Sequence, residues 1–351
     1  MANATKKPTP EFLAREDEFE RHIAAAPPLT VVTAEQLYNP VVGNALQLFE
    51  AGDFSALDDR YSTLPYIEHR TTWLLWVIIA IEDDVELYGQ RYQALVEHNS
   101  ELSHMLAAKI ASEWATRERG TALANTVTET GQQGWDYWLA EAGKHLEAAA
   151  RASNYEDPLG YAVAQGATIN HEDNGHEFFQ TKTRAIDPWC ALGWQNITMP
   201  MDCRWTGDEK ILPSLAAYIA QNAPIGHPVL VEVAAMLEQA LSTAIAFEEL
   251  EFDEAVYKVY RDPANIQTLQ TAYSKFIQDT HPSPRTLRNW QKFAYSLVLA
   301  SLHEEFLHAA DQTPGKVYAP ACHSIRAASR DSARTPKRRL GTPSRRRVLS
   351  S

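Results

Sequence analysis

The sequence predicts an all-α protein, built from antiparallel helical hairpins that stack into an array. Apolar residues recur at helical spacing in one segment after another, and no strand pattern of comparable length is visible. Two Asp-Pro steps, Asp157-Pro158 and Asp187-Pro188, lie thirty residues apart, and each closes an apolar stretch with helical spacing. Stacked hairpins bury one face against their neighbours and leave a concave surface free. The predicted architecture therefore favours binding of a partner.

The composition divides the chain into three parts. Residues 1–38 are polar and contain several prolines, which predicts a loose N-terminal arm, and residues 39–310 carry the helical pattern. Residues 311–351 are rich in Ser, Thr, Pro and Arg with few large aliphatic side chains, so we expect a basic, disordered tail. Its clusters Lys337-Arg338-Arg339 and Arg345-Arg346-Arg347 could engage an anionic surface, fold back onto the rest of the chain, or have no dedicated ligand.

The first predicted hairpin consists of two short helices around a Gly-Asp turn. Apolar residues from Ala45 to Phe49 share one helical face, and Gly52 ends that helix. Asp53 is placed to cap a second helix, which Pro65 ends. The following apolar run, Trp73 to Ile81, is buried on both faces, and its charged continuation favours a helix over a strand.

Capping residues and apolar stripes predict the later helices. Asn99-Ser100 offers a cap for a helix that ends near Gly120, and a turn from Gly131 to Gly134 precedes a helix that begins near Trp135. Further stripes predict helices at Leu159 to Ile169, Phe178 to Ile186, Trp189 to Ile197, Ile211 to Ile219, Leu230 to Ala244 and Trp290 to Leu297.

The charge of the chain restricts the kind of partner. The net charge is -13, and residues 323–351 hold nine Arg or Lys against the single acid Asp331, so the rest of the chain is more acidic still. An acidic surface repels phosphate backbones, so we expect no nucleic-acid binding except through the basic tail. It attracts basic proteins, which makes a basic protein the expected partner. A solvated acidic surface that only maintains solubility explains the same charge.

The cysteines and the apolar runs indicate a cytoplasmic protein. Cys190, Cys203 and Cys322 show no C-x-x-C spacing, which favours reduced thiols in a cytosolic compartment. The first ten residues lack the apolar core of a signal peptide. The longest apolar run has nine residues, whereas a membrane-spanning helix needs about 20. We therefore expect no membrane span.

Three stretches of the chain carry a family resemblance. They are Leu48-Phe49-Glu50-Ala51-Gly52-Asp53-Phe54-Ser55-Ala56-Leu57-Asp58, then Trp114-Ala115-Thr116-Arg117-Glu118-Arg119-Gly120 followed by Ala124-Asn125-Thr126-Val127, then Ala185-Ile186-Asp187-Pro188-Trp189 leading to Cys203-Arg204-Trp205-Thr206-Gly207. Together they resemble the bacterial family known as domain of unknown function 4034. The resemblance implies a helical, tetratricopeptide-like fold in bacterial cytoplasmic proteins and no assigned activity. The Arg-Gly pairing expected after Trp114 is here spread over Arg117 to Gly120.

Several histidines and acids are candidates for metal chemistry. His171 and His176, like His303 and His308, resemble the zinc-protease motif, but five-residue spacing turns the two rings about 140° apart on a helix, where a shared metal needs four-residue spacing. Glu101 with His104, and Glu305 with His308, match the Glu-x-x-His pairs of di-iron helical bundles. The metal candidates are Glu101, His104, His176 and His308, although chance explains such pairs nearly as well. We expect no cofactor.

Arginine and tryptophan mark the candidate binding residues. Arg204-Trp205 lies between Pro200 and Gly207, and both residue types are enriched at binding hot spots. The alternative for Trp205 is a core position in a turn between helices. Arg117 and Arg119 join these two as binding candidates.

The sequence thus favours a non-enzymatic protein-binding module of the bacterial cytoplasm, acting as an immunity-type neutralising protein or as an adaptor for a basic partner. The alternative is a metal-dependent helical enzyme with zinc or a di-iron centre. A third hypothesis is a scaffold whose basic tail anchors it to anionic lipid or nucleic acid.

Overall fold

A computed structural model describes residues 44–120, 127–167, 175–198, 201, 207–282 and 285–313, together with Arg21 and the segments 30–32 and 316–318. This part of the chain folds almost entirely into α-helices, which confirms the all-α prediction. The helices of the first half are α1 Ala45–Ala51, α2 Phe54–Thr63, α3 Ile67–Asp83, α4 Val85–Tyr88, α5 Tyr92–His98, α6 Glu101–Arg119, α7 Glu129–Ala152 and α8 Pro158–Ala167. Those of the second half are α9 Gly175–Ile186, α10 Ala191–Thr198, α11 Ile211–Asn222, α12 Glu232–Phe247, α13 Phe252–Tyr260, α14 Pro263–Phe276, α15 Leu287–Leu299 and α16 His303–Asp311.

The helix ends follow the capping residues of the sequence. Gly52 ends α1 with a left-handed φ of 73°, and Asp53 Oδ1 accepts a hydrogen bond from the Ala56 N–H at 3.2 Å to begin α2. Ser100 and Ser103 exchange hydrogen bonds between side chain and backbone at the start of α6, at 3.0 and 2.7 Å. These local signals predicted both helix starts correctly.

The predicted turn from Gly131 to Gly134 is wrong, because α7 already begins at Glu129. The Thr128 hydroxyl caps the helix by accepting a hydrogen bond from the Gly131 N–H at 3.1 Å. A Cβ atom on Gly131 would lie 2.8 Å from the Glu118 carbonyl oxygen, and one on Gly134 would lie 2.9 Å from the Glu118 Cβ. The two glycines therefore permit close packing of α7 on α6, which the sequence pattern could not distinguish from a turn.

Both Asp-Pro steps lie in turns between helices and have the same local structure. Asp157 Oδ1 accepts a hydrogen bond from the Leu159 N–H at 2.8 Å, and Asp187 Oδ1 accepts one from the Trp189 N–H at 2.9 Å. Pro158 is the first residue of α8, where the missing N–H costs nothing. Consecutive helices pack in pairs, namely α6 with α7, α8 with α9, α11 with α12, and α15 with α16.

The core consists of two large apolar clusters and a small third one, formed by Ala115, Trp135 and Leu139. The first is formed by residues of α1 to α8 together with Cys190 and Leu192, and the second runs from Trp194 to Ala309. Helix α10 contributes Leu192 to the first cluster and Trp194 to the second, so it lies where the two clusters meet.

Among the described residues, one apolar stretch, Pro228–Phe247, is long enough to cross a membrane by length and composition, but 61% of its 18-residue apolar window is buried inside the protein. It comprises a short 3-10 helix, Pro228–Val231, followed by α12. Both pack against neighbouring helices of the second cluster, as a core helix does.

Two three-residue strands pair at the ends of the chain. Strand β1, Thr30–Val32, runs parallel to β2, Lys316–Tyr318, with Val31 opposite Val317. One strand belongs to the N-terminal arm and the other to the C-terminal tail. The sequence did not predict this pair, because three residues carry too little alternation to identify a strand.

Candidate functional site

Of the four predicted binding residues, the structure describes Arg117 and Arg119. Arg204 and Trp205 lie outside the described residues. Arg117 and Arg119 lie in the last turn of α6, where Arg117 pairs with Glu86 and the Arg119 guanidinium lies 5.5 Å from the centroid of the Trp135 ring. Both arginines therefore have partners within the chain.

The structure describes the side chains of three of the four predicted metal candidates. Glu101 and His104 lie on α6 in the first half, whereas His308 lies on α16 and its Nδ1 is 2.7 Å from the Tyr273 hydroxyl. His104 Nδ1 lies 3.0 Å from His145 Nδ1, and these two rings are stacked. The His176 side chain lies outside the described residues. Among the described residues, Glu101, His104 and His308 belong to no group of three or more possible metal ligands.

Glu101 lies in a partly buried polar cluster with an unusual protonation state. Burial and the neighbouring Asp157 carboxylate raise the pKa of Glu101 to about 7, although Arg70 acts in the opposite direction. Asp157 itself accepts hydrogen bonds from Arg70 Nη1 at 2.7 Å and from the Tyr61 hydroxyl at 3.4 Å. Asp157 therefore has the cation as its partner, while Glu101 stays protonated up to neutral pH.

A second cluster, which the sequence did not predict, contains Glu68, His227 and His281. Glu68 lies in the first turn of α3, His227 precedes the 3-10 helix, and His281 lies between α14 and α15. The Nε2 atoms of His227 and His281 lie 2.9 and 3.9 Å from Glu68 Oε1. Among the described residues, this is the one group whose ligand atoms all lie within 4.8 Å of each other. Two histidines and a carboxylate form a donor set that zinc and iron use.

The hydrogen bonds of His227 do not fit a metal ligand. Its Nδ1 accepts a hydrogen bond from the Val229 N–H at 3.1 Å, so the ring proton of the neutral form lies on Nε2 and is donated to Glu68. A histidine that binds a metal normally donates its second ring N–H to an acceptor. Here the second nitrogen faces a donor, so the arrangement fits a histidine–carboxylate hydrogen bond.

The Glu68 cluster connects the two halves of the core. Burial opposes ionisation of Glu68, but the hydrogen bonds from His227 and from its own backbone, and the nearby histidines, lower its pKa to about 2. Glu68 lies in the first turn of a helix of the first apolar cluster, and His227 caps a 3-10 helix of the second. In the sequence, each of these histidines precedes a proline, a pattern typical of turns, and nothing local pointed to Glu68 as their partner.

An acidic surface surrounds the connection between α12 and α13. Five acids occur among the seven residues from 248 to 254. Two large aromatic side chains flank them, with Phe247 59% exposed and Tyr257 75% exposed. We call this surface the acidic face and define it by Asp208, Glu209, Phe247, Glu248, Glu249, Glu251, Asp253, Glu254, Tyr257 and Asp262.

A cavity of about 440 Å³ opens on the acidic face between α11, α12, α13 and α14. Four carboxylates line it, from Asp208, Glu209, Glu248 and Asp262, against the two cations Lys210 and Lys258. Lys258 Nζ contacts both Glu209, at 2.6 Å, and Glu248, at 2.5 Å. The lining therefore keeps a negative balance.

The turn that carries the acids has a defined backbone. Glu249 adopts a left-handed conformation with φ of 55°, which is uncommon for a residue other than glycine. The Leu250 N–H donates a hydrogen bond to the Ala244 carbonyl at 3.2 Å, and the Leu250 side chain packs on the second apolar cluster. The core thus holds a strained turn in place, and strain of this kind is concentrated at functional sites.

Comparisons of this chain with protein-family models, with characterised proteins and with solved structures gave no match. The resemblance to the domain of unknown function 4034 family therefore remains an expectation from the quoted motifs. The proposals below depend on the residues of this chain.

Proposed function

We propose that this protein is a non-enzymatic, tetratricopeptide-like binding module of the bacterial cytoplasm, and that a basic protein binds on its acidic face. The observation that supports this proposal is the combination of five acids, two exposed aromatic rings and a carboxylate-lined cavity on one surface. The paired packing of consecutive helices supports the stacked-hairpin part of the proposal.

Each component of the acidic face has a role in such an interface. The acids steer a basic partner to the surface and discriminate against acidic proteins. Tyr257 and Phe247 supply apolar area that can be buried against the partner, and aromatic residues dominate binding energy at such contacts. The cavity can accept a lysine or arginine side chain between Asp208 and Asp262. This arrangement suits either an immunity-type neutralising protein or an adaptor.

Affinity purification from the cell extract of the source bacterium tests the proposal. We expect one basic protein to copurify at low salt and to be lost at high salt, because screening weakens contacts between charges. Replacing Glu249, Glu251 and Glu254 by Gln should abolish copurification of the basic protein.

A matched variant with the same net charge separates this face from charge in general. Glu129→Gln, Asp136→Asn and Glu156→Gln remove three exposed acids elsewhere, and this control should capture the partner as the unchanged protein does. If the partner still copurifies at high salt and also with the variant of the acidic face, the proposal of an electrostatic interface is contradicted.

The donor set of Glu68, His227 and His281 supports the alternative function, a metal-dependent enzyme with zinc or a di-iron centre. The Val229 N–H that donates to His227 argues against it. Metal analysis of protein purified without a histidine tag or chelator discriminates between the two functions. Stoichiometric zinc or iron that His227→Ala removes would favour the enzyme.

A further inference from the structure

A second cavity, of about 270 Å³, lies between α7, α8 and α9. Its lining is mostly apolar, and it shares no residue with the acidic face. We call it the apolar groove. The side chains that form most of its lining are Leu139, Ala142, Leu146, Ala150, Ala164 and Phe179.

Two glycines create the depth of the groove. A Cβ atom on Gly143 of α7 or on Gly160 of α8 would meet no atom within 4 Å, and neither residue has a left-handed φ. Glycine inside a helix costs about 0.5–1 kcal/mol relative to alanine. At position 131, close helix packing explains why glycine is present despite this cost. At positions 143 and 160, neither close packing nor a left-handed backbone requires glycine. What these two glycines provide is open space.

Two exposed aromatic side chains line the groove. Phe178 is 54% exposed and Tyr155 is 47% exposed. Tyr155 and its neighbour Asn154 both adopt left-handed backbone conformations, with φ of 62° and 52°. Two successive non-glycine residues in this conformation store strain, which is typical of functional sites. The Tyr155 hydroxyl donates a hydrogen bond to Glu147 Oε1 at 3.0 Å, which holds the strained residue in position.

Two charged side chains line the groove, the acid Glu147 and the base Lys182. Glu147 accepts hydrogen bonds from Tyr155 and from Arg151 Nε at 3.0 Å, and these bonds lower its pKa. Lys182 Nζ lies 5.5 Å from the centroid of the Phe178 ring. Within the part of the chain that the structure describes, no carboxylate lies within ion-pair distance of Lys182. The groove thus combines an apolar surface with a cation that has no carboxylate within ion-pair distance among the described residues.

We infer that the apolar groove binds a small amphipathic carboxylate, with its apolar chain against Gly143 and Gly160 and its carboxylate at Lys182 Nζ. The cavity of about 270 Å³ is slightly smaller than typical ligand sites, which span about 300–1,000 Å³. One short acyl chain or a single aromatic ring is therefore the size of ligand that it accommodates. This site is independent of the acidic face and of the proposed protein partner.

Calorimetric titration with three ligands of one chain length tests the inference: octanoate, octan-1-ol and octylamine. We expect saturable binding of octanoate, weaker binding of octan-1-ol and the weakest binding of octylamine. Lys182→Gln should weaken octanoate binding about three- to fivefold, which is the contribution of an exposed ion pair, and leave octan-1-ol unchanged.

A variant that fills the groove and a matched charge control complete the test. Gly143→Leu places a side chain in open space and replaces a poor helix former with a good one, so it should weaken octanoate and octan-1-ol more than tenfold while the protein stays folded. Lys144→Gln removes an exposed lysine of α7 that pairs with Glu141 instead, and it should bind as the unchanged protein does. The inference is overturned by absent saturable octanoate binding, by a Gly143→Leu variant that binds normally, or by equal effects of Lys144→Gln and Lys182→Gln.

Discussion

Replacing Glu101 by Gln should stabilise the protein at pH 8 and should have little effect at pH 5. Burial beside Asp157 raises the pKa of Glu101 from its usual 4.5 to about 7. The folded state therefore binds the proton more tightly than the unfolded state does. The contribution of Glu101 to stability is greatest below pH 4.5, decreases as the pH rises and the unfolded chain ionises, and becomes constant above pH 7. Gln retains the size and the neutral state of the protonated acid.

The magnitude follows from the size of the pKa shift. Each pKa unit corresponds to about 1.36 kcal/mol, so the full shift would correspond to about 3.4 kcal/mol. Glu101 is partly exposed, and solvent screening reduces this to about 1.5 kcal/mol. An acid in the first turn of a helix is favourable by about 0.5 kcal/mol, and Gln loses that contribution. The expected net stabilisation at pH 8 is about 1 kcal/mol.

Urea unfolding followed by tryptophan fluorescence at pH 5 and pH 8 measures this difference. Glu129→Gln is the matched control, because Glu129 is the first residue of α7 as Glu101 is of α6, but it is exposed. The control should change the free energy of unfolding by less than about 0.5 kcal/mol at both pH values. An equal effect of Glu101→Gln at pH 5 and pH 8, or destabilisation at pH 8, would refute the reasoning.

Further predictions concern the connections between helices. Glu68→Gln should destabilise the protein by about 2–3 kcal/mol at pH 7, because the pKa of Glu68 is lowered to about 2. In urea unfolding, this loss of stability should become smaller as the pH falls from 4.5 towards 2. A loss that stays constant over this pH range would show that the ionised Glu68 carboxylate is not its cause. Gly131→Ala should destabilise the protein by about 1–3 kcal/mol, because the added methyl group clashes with α6. Gly143→Ala should instead stabilise it by about 0.5–1 kcal/mol. Equal melting temperatures of the two variants would refute this difference. Zinc added to the protein should leave its melting temperature unchanged, since the Val229 N–H occupies His227 Nδ1; an increase that His281→Ala abolishes would establish a metal site.

Local signals in the sequence predicted much of the fold but little of the candidate sites. The two Asp-Pro turns form as the sequence indicated, because each depends on atoms within two residues of the aspartate. The run of acids from 248 to 254 was visible in the sequence, but its position beside a cavity and two exposed aromatic rings was not. That position depends on how α11 to α14 pack.

The sequence by itself determined the helical class, most helix ends and the acidic character, since periodicity, capping and net charge are properties of neighbouring residues or of composition. Only the tertiary structure decided that Gly131 serves helix packing while Gly143 opens a groove. It also decided that Glu68 meets two histidines from the other half of the chain. The physical reason is the same in each case: the partner of a side chain is set by which helix faces meet, and residues distant in sequence carry no local mark of that contact.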